Sequence, residues 1–210
     1  MPSDPRSDTL IQMAQRIQAI AQTGLTYATS PYDVERYSEL SAIAAGMIAG
    51  PEPDGIHLAS RLFAEQRGYA TPKVDVRGVV FQEDRLLLVR EMEDGGWTLP
   101  GGWAEVGQSA AESVEREVRE ESGYIVKAVK LLACWDRDRH PHPPIPFHAY
   151  KLVFLCDLMG GAPSASSETT EVGFFAEDQI PPLSLTRTLP EQIQFVFEAM
   201  RNPAAPTAFD

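Results

Sequence analysis

The chain has 210 residues, of which 43% are hydrophobic and 23% charged, so it is long enough for one sizeable globular domain and a smaller one. Its 18 Lys and Arg against 30 Asp and Glu give a net charge of −12, which disfavours duplex nucleic acid as a partner because such a surface repels a phosphate backbone. The first residues lack the charged start and apolar run of a signal peptide, and no stretch approaches the roughly 18 apolar residues of a membrane span. We therefore expect a cytoplasmic protein without a membrane partner.

The first seventy residues are expected to form three helices. Apolar residues recur at helical spacing over residues 10–21. The second helix begins with Ser30 as N-cap and Pro31 in the first helical position and ends at Gly50-Pro51, and the third covers residues 57–67. Three short helices bury little apolar surface, so we expect this unit to pack on a larger one or to form a homodimer. Its five Arg against eight Asp and Glu disfavour a DNA-binding helix-turn-helix.

Beyond residue 70 the apolar period changes from helical to alternating, which predicts strands. The first reads KVDVRGVVF and has two faces, one with Val76, Gly78 and Val80, the other with Asp75, Arg77, Val79 and Phe81. A hairpin turn at QEDR leads to the strand LLLVR. Further strands are expected at IVKAVKLLACWD, AYKLVFLCDL and VGFF.

The end of the chain is expected to be helical. Thr188 and Glu191 have the spacing of a capping box, which predicts the start of a final helix, and the tail NPAAPTAFD is expected to be frayed. The order of elements predicts an α+β fold, an α/β/α sandwich with a mixed sheet plus a small all-helical N-terminal domain. We assign residues 1–70 to the helical domain and residues 71–205 to the sandwich domain.

An acidic helix is predicted after the segment WTLPGG. Ser109 and Glu112 have the spacing of a capping box at its start, and Gly123 supplies the C-terminal stop. Two i,i+4 pairs in the favourable order account for four of its charges: Glu112 with Arg116, and Glu115 with Arg119.

Three glutamates, Glu117, Glu120 and Glu121, are left over on one side of this helix. Crowded carboxylates repel one another unless a hard cation neutralises them, and Mg²⁺ or Mn²⁺ with oxygen ligands suits that role. A solvated helix face is the ordinary explanation for the pattern E-x-x-E-E. The preceding Pro-Gly-Gly favours a metal or ligand site instead, because it frees backbone carbonyl and amide groups for close approach.

Gly102, Gln108 and the segment REVREESGY together resemble the Nudix box, G-x5-E-x7-R-E-U-x-E-E-x-G-U, where U is a bulky apolar residue. Seven of its nine defined positions match: Gly102, Arg116, Glu117, Val118, Glu120, Glu121 and Gly123. Gln108 stands where the family has Glu, and Tyr124 stands where it usually has an aliphatic residue. The helical start and the segments TPKVDVRGVVF, LLLVRE and ETTEVGFF are similar to the Nudix subgroup with a helical N-terminal domain, which includes CDP-choline and ADP-ribose pyrophosphatases.

The resemblance implies metal-dependent hydrolysis of a nucleoside diphosphate linked to a group X, giving a nucleoside monophosphate and X-phosphate, with CDP-choline and ADP-ribose as competing substrates. It implies that Glu117, Glu120 and Glu121, with a main-chain carbonyl near Gly101, hold Mg²⁺ or Mn²⁺. Glu120 or Glu121 is alternatively the general base, and Arg116 braces the box. The lost charge at Gln108 puts any metal role there in question. The alternative from another class is a non-catalytic Nudix-fold regulator that senses a nucleotide.

Two arginines on strands are candidates for binding phosphate. Arg77 and Arg90 lie on strands beside or leading to the site, and a guanidinium suits bidentate contact with a phosphate. The alternative for either is an ion pair with Asp75 or Glu91.

Two loops supply four more candidates for contact with the substrate. Glu168 and Glu171 precede VGFF in a polar loop, and in this family a loop outside the box often provides another carboxylate. Asp136 and Arg137 open a proline-rich loop that we expect to contact the X group or a partner subunit. An H-x-H pair in this second loop lacks the third spaced ligand of a zinc site.

Overall fold

The computed structural model of the chain describes residues 5–49 and 55–210. They form two compact units, one made of the residues up to 72 together with 144–148, the other of residues 73–143 and 149–210. The predicted helix end at Gly50-Pro51 lies outside the described residues. No helix in the described ranges is both long and apolar enough to cross a membrane.

The N-terminal unit contains the helices α1 (Pro5–Tyr27), α2 (Pro31–Ala49) and α3 (Gly55–Ala64). The second begins at Pro31 as predicted, and the third ends at Ala64 rather than at residue 67. Small side chains let the three helices approach closely, and the buried residues between them are Ala14, Ala44, Ala45, Ala59 and Phe63. The segment 144–148 joins this unit through a 2.8 Å hydrogen bond from Gln15 Nε2 to the carbonyl of Ile145.

The described residues of the other unit form a seven-stranded sheet. Its strands are β1 (Lys73–Gln82), β2 (Arg85–Glu91), β3 (Trp97–Thr98), β4 (Tyr124–Asp136), β5 (Ala149–Gly161), β6 (Thr169–Phe175) and β7 (Ala208–Phe209). The spatial order is β3-β2-β1-β5-β4-β7, with β6 paired to β2. Because β1 and β5 are parallel whereas β1 with β2 and β4 with β5 are antiparallel, the sheet is mixed, as predicted.

A helix covers each face of this sheet. The acidic helix α4 (Ala110–Ser122) packs Val114 and Val118 against β1. Gly78 of β1 permits that close approach, since a Cβ there would lie 2.4 Å from Val118 Cγ2. On the opposite face, α5 (Pro190–Arg201) packs Phe197 edge-on against Phe81, with ring centroids 5.2 Å apart. These layers confirm the predicted α+β fold with an α/β/α sandwich.

The predicted start of the last helix is wrong. α5 begins after Leu189 as N-cap, with Pro190 in its first turn, rather than at Thr188. The Thr188 hydroxyl lies 2.8 Å from Thr98 Oγ1 and accepts a hydrogen bond from the Leu99 backbone at 3.3 Å. A tertiary contact therefore uses the group that a capping box with Glu191 would need.

The tail, predicted to be frayed, is bound along the edge of the sheet. β7 pairs with β4 in parallel, with Ala208 opposite Ala133. Lys130 Nζ donates to the carbonyls of Pro203 and Ala205 at 2.8 and 2.6 Å. The outer edge of β4 thus pairs with the tail, and a side chain of the same strand holds the segment before β7. Composition alone did not indicate that the tail would reach this edge.

Candidate active site

The loop after β3, residues 99–102, is fixed against β1 by main-chain hydrogen bonds; we call it the LPGG loop. The amide of Val76 donates to the carbonyl of Gly102, and the amide of Gly78 donates to that of Pro100, both at 2.8 Å. Gly101 has a φ of 145°, and a Cβ there would lie 2.0 Å from the carbonyl oxygen of Val76. Only glycine lets the loop lie this close to the strand.

Helix α4 starts and stops as predicted. The backbone of Glu112 donates to Ser109 Oγ at 3.2 Å, and the Glu112 carboxylate accepts from the Ser109 backbone at 2.8 Å, which completes the capping box. At the other end Gly123 has a φ of 76°, the left-handed conformation that ends many helices. Both ends are set locally, so the glutamates between them lie at defined positions.

The two ion pairs predicted on this helix do not match the contacts found. The Glu112 carboxylate accepts from the Ser109 cap instead of pairing with Arg116. Glu115 pairs with Lys127 of β4 at 3.0 Å and accepts from the backbone of Ala128, also at 3.0 Å. The helix cap and a neighbouring strand thus supply the partners that helix spacing assigned to arginines.

Glu117, Glu120 and Glu121, the acidic triad, differ in exposure. Glu121 is only 6% exposed and accepts a 2.8 Å hydrogen bond from the backbone of Gly101 in the LPGG loop. The side chain of Glu117 is 14% exposed, and that of Glu120 is 52% exposed. The structure therefore brings Glu121 and Gly101 together and leaves Glu120 open to solvent.

Arg116 joins the other two members of the triad. Its Nη2 lies 2.8 Å from Glu117 and its Nη1 lies 2.8 Å from Glu120. Its Nε donates to Gln108 Oε1 at 3.2 Å, and that amide oxygen also accepts from Ser113 Oγ at 3.2 Å. Gln108 therefore provides an acceptor for Arg116 where the Nudix box has a carboxylate.

Burial disfavours the charged form of two carboxylates of the triad. It raises the pKa of Glu121 to about 7, although the charge of Arg77 and the Gly101 amide oppose that rise. Burial also raises the pKa of Glu117, with Arg116 opposing. Gly102 leaves room beside Glu117, because a Cβ there would lie 3.1 Å from its Oε2. Carboxylate oxygens whose charge burial penalises fit a hard divalent cation, which would neutralise them.

Arg77 is not open to a phosphate. It is 6% exposed, and its Nε and Nη2 donate to the Asp75 carboxylate at 2.9–3.2 Å. Its Nη1 donates to the carbonyl of Leu99 in the LPGG loop at 3.1 Å. These contacts correspond to the ion pair with Asp75 that the sequence allowed as the alternative to phosphate binding, and they favour that alternative.

Arg90 forms an ion pair, but with Glu171 rather than with Asp75 or Glu91, the partners given as the alternative to phosphate. Its Nη1 lies 2.5 Å from Glu171 of β6, and its Nε donates to the carbonyl of Gly95. Both side chains are roughly half exposed, so this pair faces solvent. Glu168 is exposed just before β6, and its carbonyl accepts from the Met92 backbone.

The proline-rich loop begins with a structural turn. Asp136 caps a short 3-10 helix by accepting from the backbone of Asp138 at 3.1 Å. Arg137 is buried and its Nη2 donates to the carbonyls of Pro143 and Thr186, which leaves little of it for a substrate. The H-x-H pair diverges: one ring contacts Asp210 and the other lies between Leu185 and Gln192.

Glu91 is a functional candidate that the sequence analysis treated only as an ion-pair partner. It ends β2, is 5% exposed, and lies 2.9 Å from Arg187 Nε. Burial raises its pKa, and the charges of Arg187 and Arg77 oppose the rise. Alternation along LLLVRE places Glu91 on the same face as the buried Leu87 and Val89, which was the available signal.

Two parts of the chain match described protein families. Residues 8–63 match the UDP-X-like, N-terminal oligomerisation domain. Residues 71–196, which include the LPGG loop and the acidic triad, match the NUDIX domain.

Known proteins similar to this chain belong to the same family. The YjhB protein of Bacillus subtilis (strain 168), provisionally named an ADP-ribose pyrophosphatase, is 45% identical over 200 residues, which cover 95% of this chain and 96% of that protein. The crystal structure of an ADP-ribose pyrophosphatase from Streptococcus suis 89-1591 has a TM-score of 0.60 at 44% identity and covers 67% of this chain and 100% of that one. The crystal structure of a UDP-X diphosphatase has a TM-score of 0.62 at 33% identity and covers 97% and 99%. This protein therefore belongs to the Nudix hydrolases, in the subgroup that carries a helical N-terminal domain.

Proposed function

We propose that this Nudix hydrolase splits a nucleoside diphosphate linked to a group X in a reaction that depends on Mg²⁺ or Mn²⁺, with ADP-ribose as the leading substrate. The observation that carries the proposal is Glu121, a buried carboxylate in the last turn of the acidic helix α4 that accepts a hydrogen bond from the Gly101 amide. ADP-ribose leads over CDP-choline because two of the similar proteins, at 44% and 45% identity, are named for it.

The cation would be held by Glu117, Glu120 and Glu121, together with the main-chain carbonyl of Gly101. When bound, a divalent cation neutralises charge on the diphosphate and lowers the pKa of a coordinated water. Arg116 holds Glu117 and Glu120 at 2.8 Å each, which keeps both carboxylates near the position where the diphosphate would lie.

The general base is best sought among the exposed carboxylates. Glu120 is more exposed than the other two triad members, so water reaches it most readily, whereas the Gly101 amide occupies one oxygen of Glu121. Arg90, Glu168 and Glu171 lie at solvent-exposed positions and remain candidates for contact with the substrate. Arg77 and Arg137 are assigned structural roles instead, since protein groups bind their guanidinium nitrogens.

The proposal is tested by incubating the protein with Mg²⁺ or Mn²⁺ and ADP-ribose, UDP-sugars, CDP-choline, NADH or nucleoside triphosphates, with product analysis by chromatography. We expect AMP and ribose 5-phosphate from ADP-ribose, and no products in EDTA. Preferential release of UMP from UDP-sugars would favour the second candidate, a UDP-X diphosphatase, to which this chain is similar over 97% of its length. Binding of a nucleotide without turnover of any substrate would contradict the proposal and favour the regulator.

We also propose a homodimer formed through the N-terminal unit. Three apolar side chains of α1 at seven-residue spacing are exposed: Met13, Ile20 and Tyr27. Such spacing forms one stripe along a helix, which a second copy of the helix can cover. Light scattering should give twice the chain mass of 23.1 kDa, and Ile20→Glu should lower it to the mass of one chain. A monomer for the unaltered protein would contradict this part of the proposal.

A further inference from the structure

Three buried charged side chains form a connected network beside the active site; we call Asp75, Arg77 and Lys151 the buried charge network. Lys151 Nζ lies 2.6 Å from Asp75 Oδ2 and donates to the carbonyl of Arg187 at 2.7 Å. On its other side, Asp75 accepts from Arg77, which in turn donates to the carbonyl of Leu99 at 3.1 Å. Bonds thus run without a break from the segment before α5 to the LPGG loop.

Stability alone does not account for this network. The three side chains are 2–6% exposed, and removing such charges from water costs several kcal/mol per ion. Well-packed apolar residues of similar volume often give equal or greater stability. A contribution to stability therefore does not explain the buried charge network. Its contacts with the LPGG loop point instead to a role in the active site.

The sheet fixes the geometry of the network. Asp75 of β1 lies directly opposite Lys151 in the parallel pairing of β1 with β5. Arg77 follows two residues later, so period-two alternation puts it on the same face as Asp75. The two strands hold all three side chains on rigid elements, which is how an accurately placed site is usually supported.

Arg77 connects this network to the acidic triad. It binds the carbonyl of Leu99, and two residues further along the same loop the amide of Gly101 binds Glu121. The Arg77 guanidinium therefore fixes the loop whose Gly101 amide holds Glu121.

We propose that Asp75, Arg77 and Lys151 are positioning residues for the cation site: Lys151 and Asp75 fix the Arg77 guanidinium, and Arg77 fixes the LPGG loop against Glu121. This inference rests on the proposed metal-dependent function. It explains why arginine is needed, because its planar fork bonds Asp75 with two nitrogens and Leu99 with a third at the same time. A lysine keeps the charge but lacks that fork.

The test compares Arg77→Lys and Asp75→Asn with the unaltered protein. Mn²⁺ binding is measured without substrate, by electron paramagnetic resonance of the free ion, and kcat and KM are measured with the best substrate. We expect Mn²⁺ affinity and kcat each to fall by about 10- to 100-fold, the usual loss when a group supporting a metal ligand is removed, with a smaller change in KM. Lys151 lies further from the loop, so Lys151→Gln should lower Mn²⁺ affinity and kcat by less. This variant also tests the proposal if Asp75→Asn does not fold.

A matched control separates positioning from general stability. Phe197→Leu opens a small space under α5 and leaves all three charges in place, so it should lower the unfolding temperature without changing Mn²⁺ affinity or kcat. If Arg77→Lys and Asp75→Asn behave like this control, the inference is wrong while the proposed function stands. If the unaltered protein binds no Mn²⁺, both are wrong.

Discussion

The acidic triad and the buried charge network are two clusters of charged side chains in one domain, and they differ in the balance of their charges and in their burial. The triad has three carboxylates against the single charge of Arg116, and one of them is more than half exposed. The network has two cations around Asp75 and is almost completely buried. The triad is left with surplus negative charge, which a cation from solution would balance, whereas the network has surplus positive charge. The difference in charge and burial fits the two roles that we propose, in which the triad binds the ion and the network fixes the place where it binds.

The largest expected effect is a loss of activity on removing one charge of the acidic triad, compared with removing a charge elsewhere on the same helix. Glu121→Gln keeps the size of the side chain and removes the charge that a cation needs, so we expect kcat to fall at least about 100-fold with the fold intact. The measurement is steady-state hydrolysis together with far-UV circular dichroism. Glu115→Gln is the matched control, since Glu115 lies on the same helix but pairs with Lys127, and it should keep near-normal activity. Equal activity of the two variants would remove Glu121 from the mechanism.

The second prediction concerns stability. Here we expect a change in the buried charge network to have a larger effect than a change in the acidic triad. Asp75→Ala leaves Arg77 and Lys151 buried without their shared partner, which typically costs about 3–5 kcal/mol in the free energy of unfolding. Glu120→Gln breaks only a pair with an exposed carboxylate, and such pairs contribute about 0–1 kcal/mol. Urea unfolding of both variants without metal measures the difference. Similar losses would mean that the network is not a distinct buried unit.

The two regions also differ in how far the sequence predicted them. The triad, Gly101 and both ends of α4 lie within about two dozen positions, so capping rules predicted the ends of the helix and the resemblance to the Nudix box indicated the glutamates and Gly101. The network joins residues 76 positions apart, Asp75 and Lys151, and only the pairing of β1 with β5 brings them together. The same limit explains the errors at Thr188 and in the tail, because each makes contacts with distant strands. For Arg77 the sequence left phosphate binding and an ion pair as alternatives, and its partner could not be chosen without the strand register.

A third prediction uses a neutral buried group as a contrast to the charged network. His142 is held by the carbonyl of Leu185 at 2.8 Å and by Gln192 Nε2 at 3.1 Å, an arrangement that suits the uncharged ring. Burial lowers the pKa of His142 to about 3, below its ordinary value of 6.5. Between these values the unfolded chain binds a proton that the folded protein does not, so stability is complete above pH 6.5 and falls as the pH drops towards 3.

The measurement is the free energy of unfolding in urea at several pH values from 7 to about 4.5, where one proton contributes at most about 1.4 kcal/mol per pH unit. His142→Asn keeps a donor for the carbonyl of Leu185 and removes the titrating ring. Its stability should therefore depend less steeply on pH over this range. An unchanged slope would show that other groups account for the loss of stability in acid.

The smallest effect is expected at Gln108, the position where the Nudix box has Glu. Gln108→Glu would give Arg116 a charged acceptor, but Gln108 Oε1 already accepts from Arg116 Nε and from Ser113 Oγ. A charged acceptor adds about 1 kcal/mol to such a bond at most, and Arg116 already has two carboxylate partners. We therefore expect kcat and Mn²⁺ affinity to change by less than about fivefold, on the scale where 1.4 kcal/mol is a factor of ten. An increase of tenfold or more in kcat or Mn²⁺ affinity would mean that the carboxylate at position 108 binds the cation directly, as a fourth ligand beside the acidic triad.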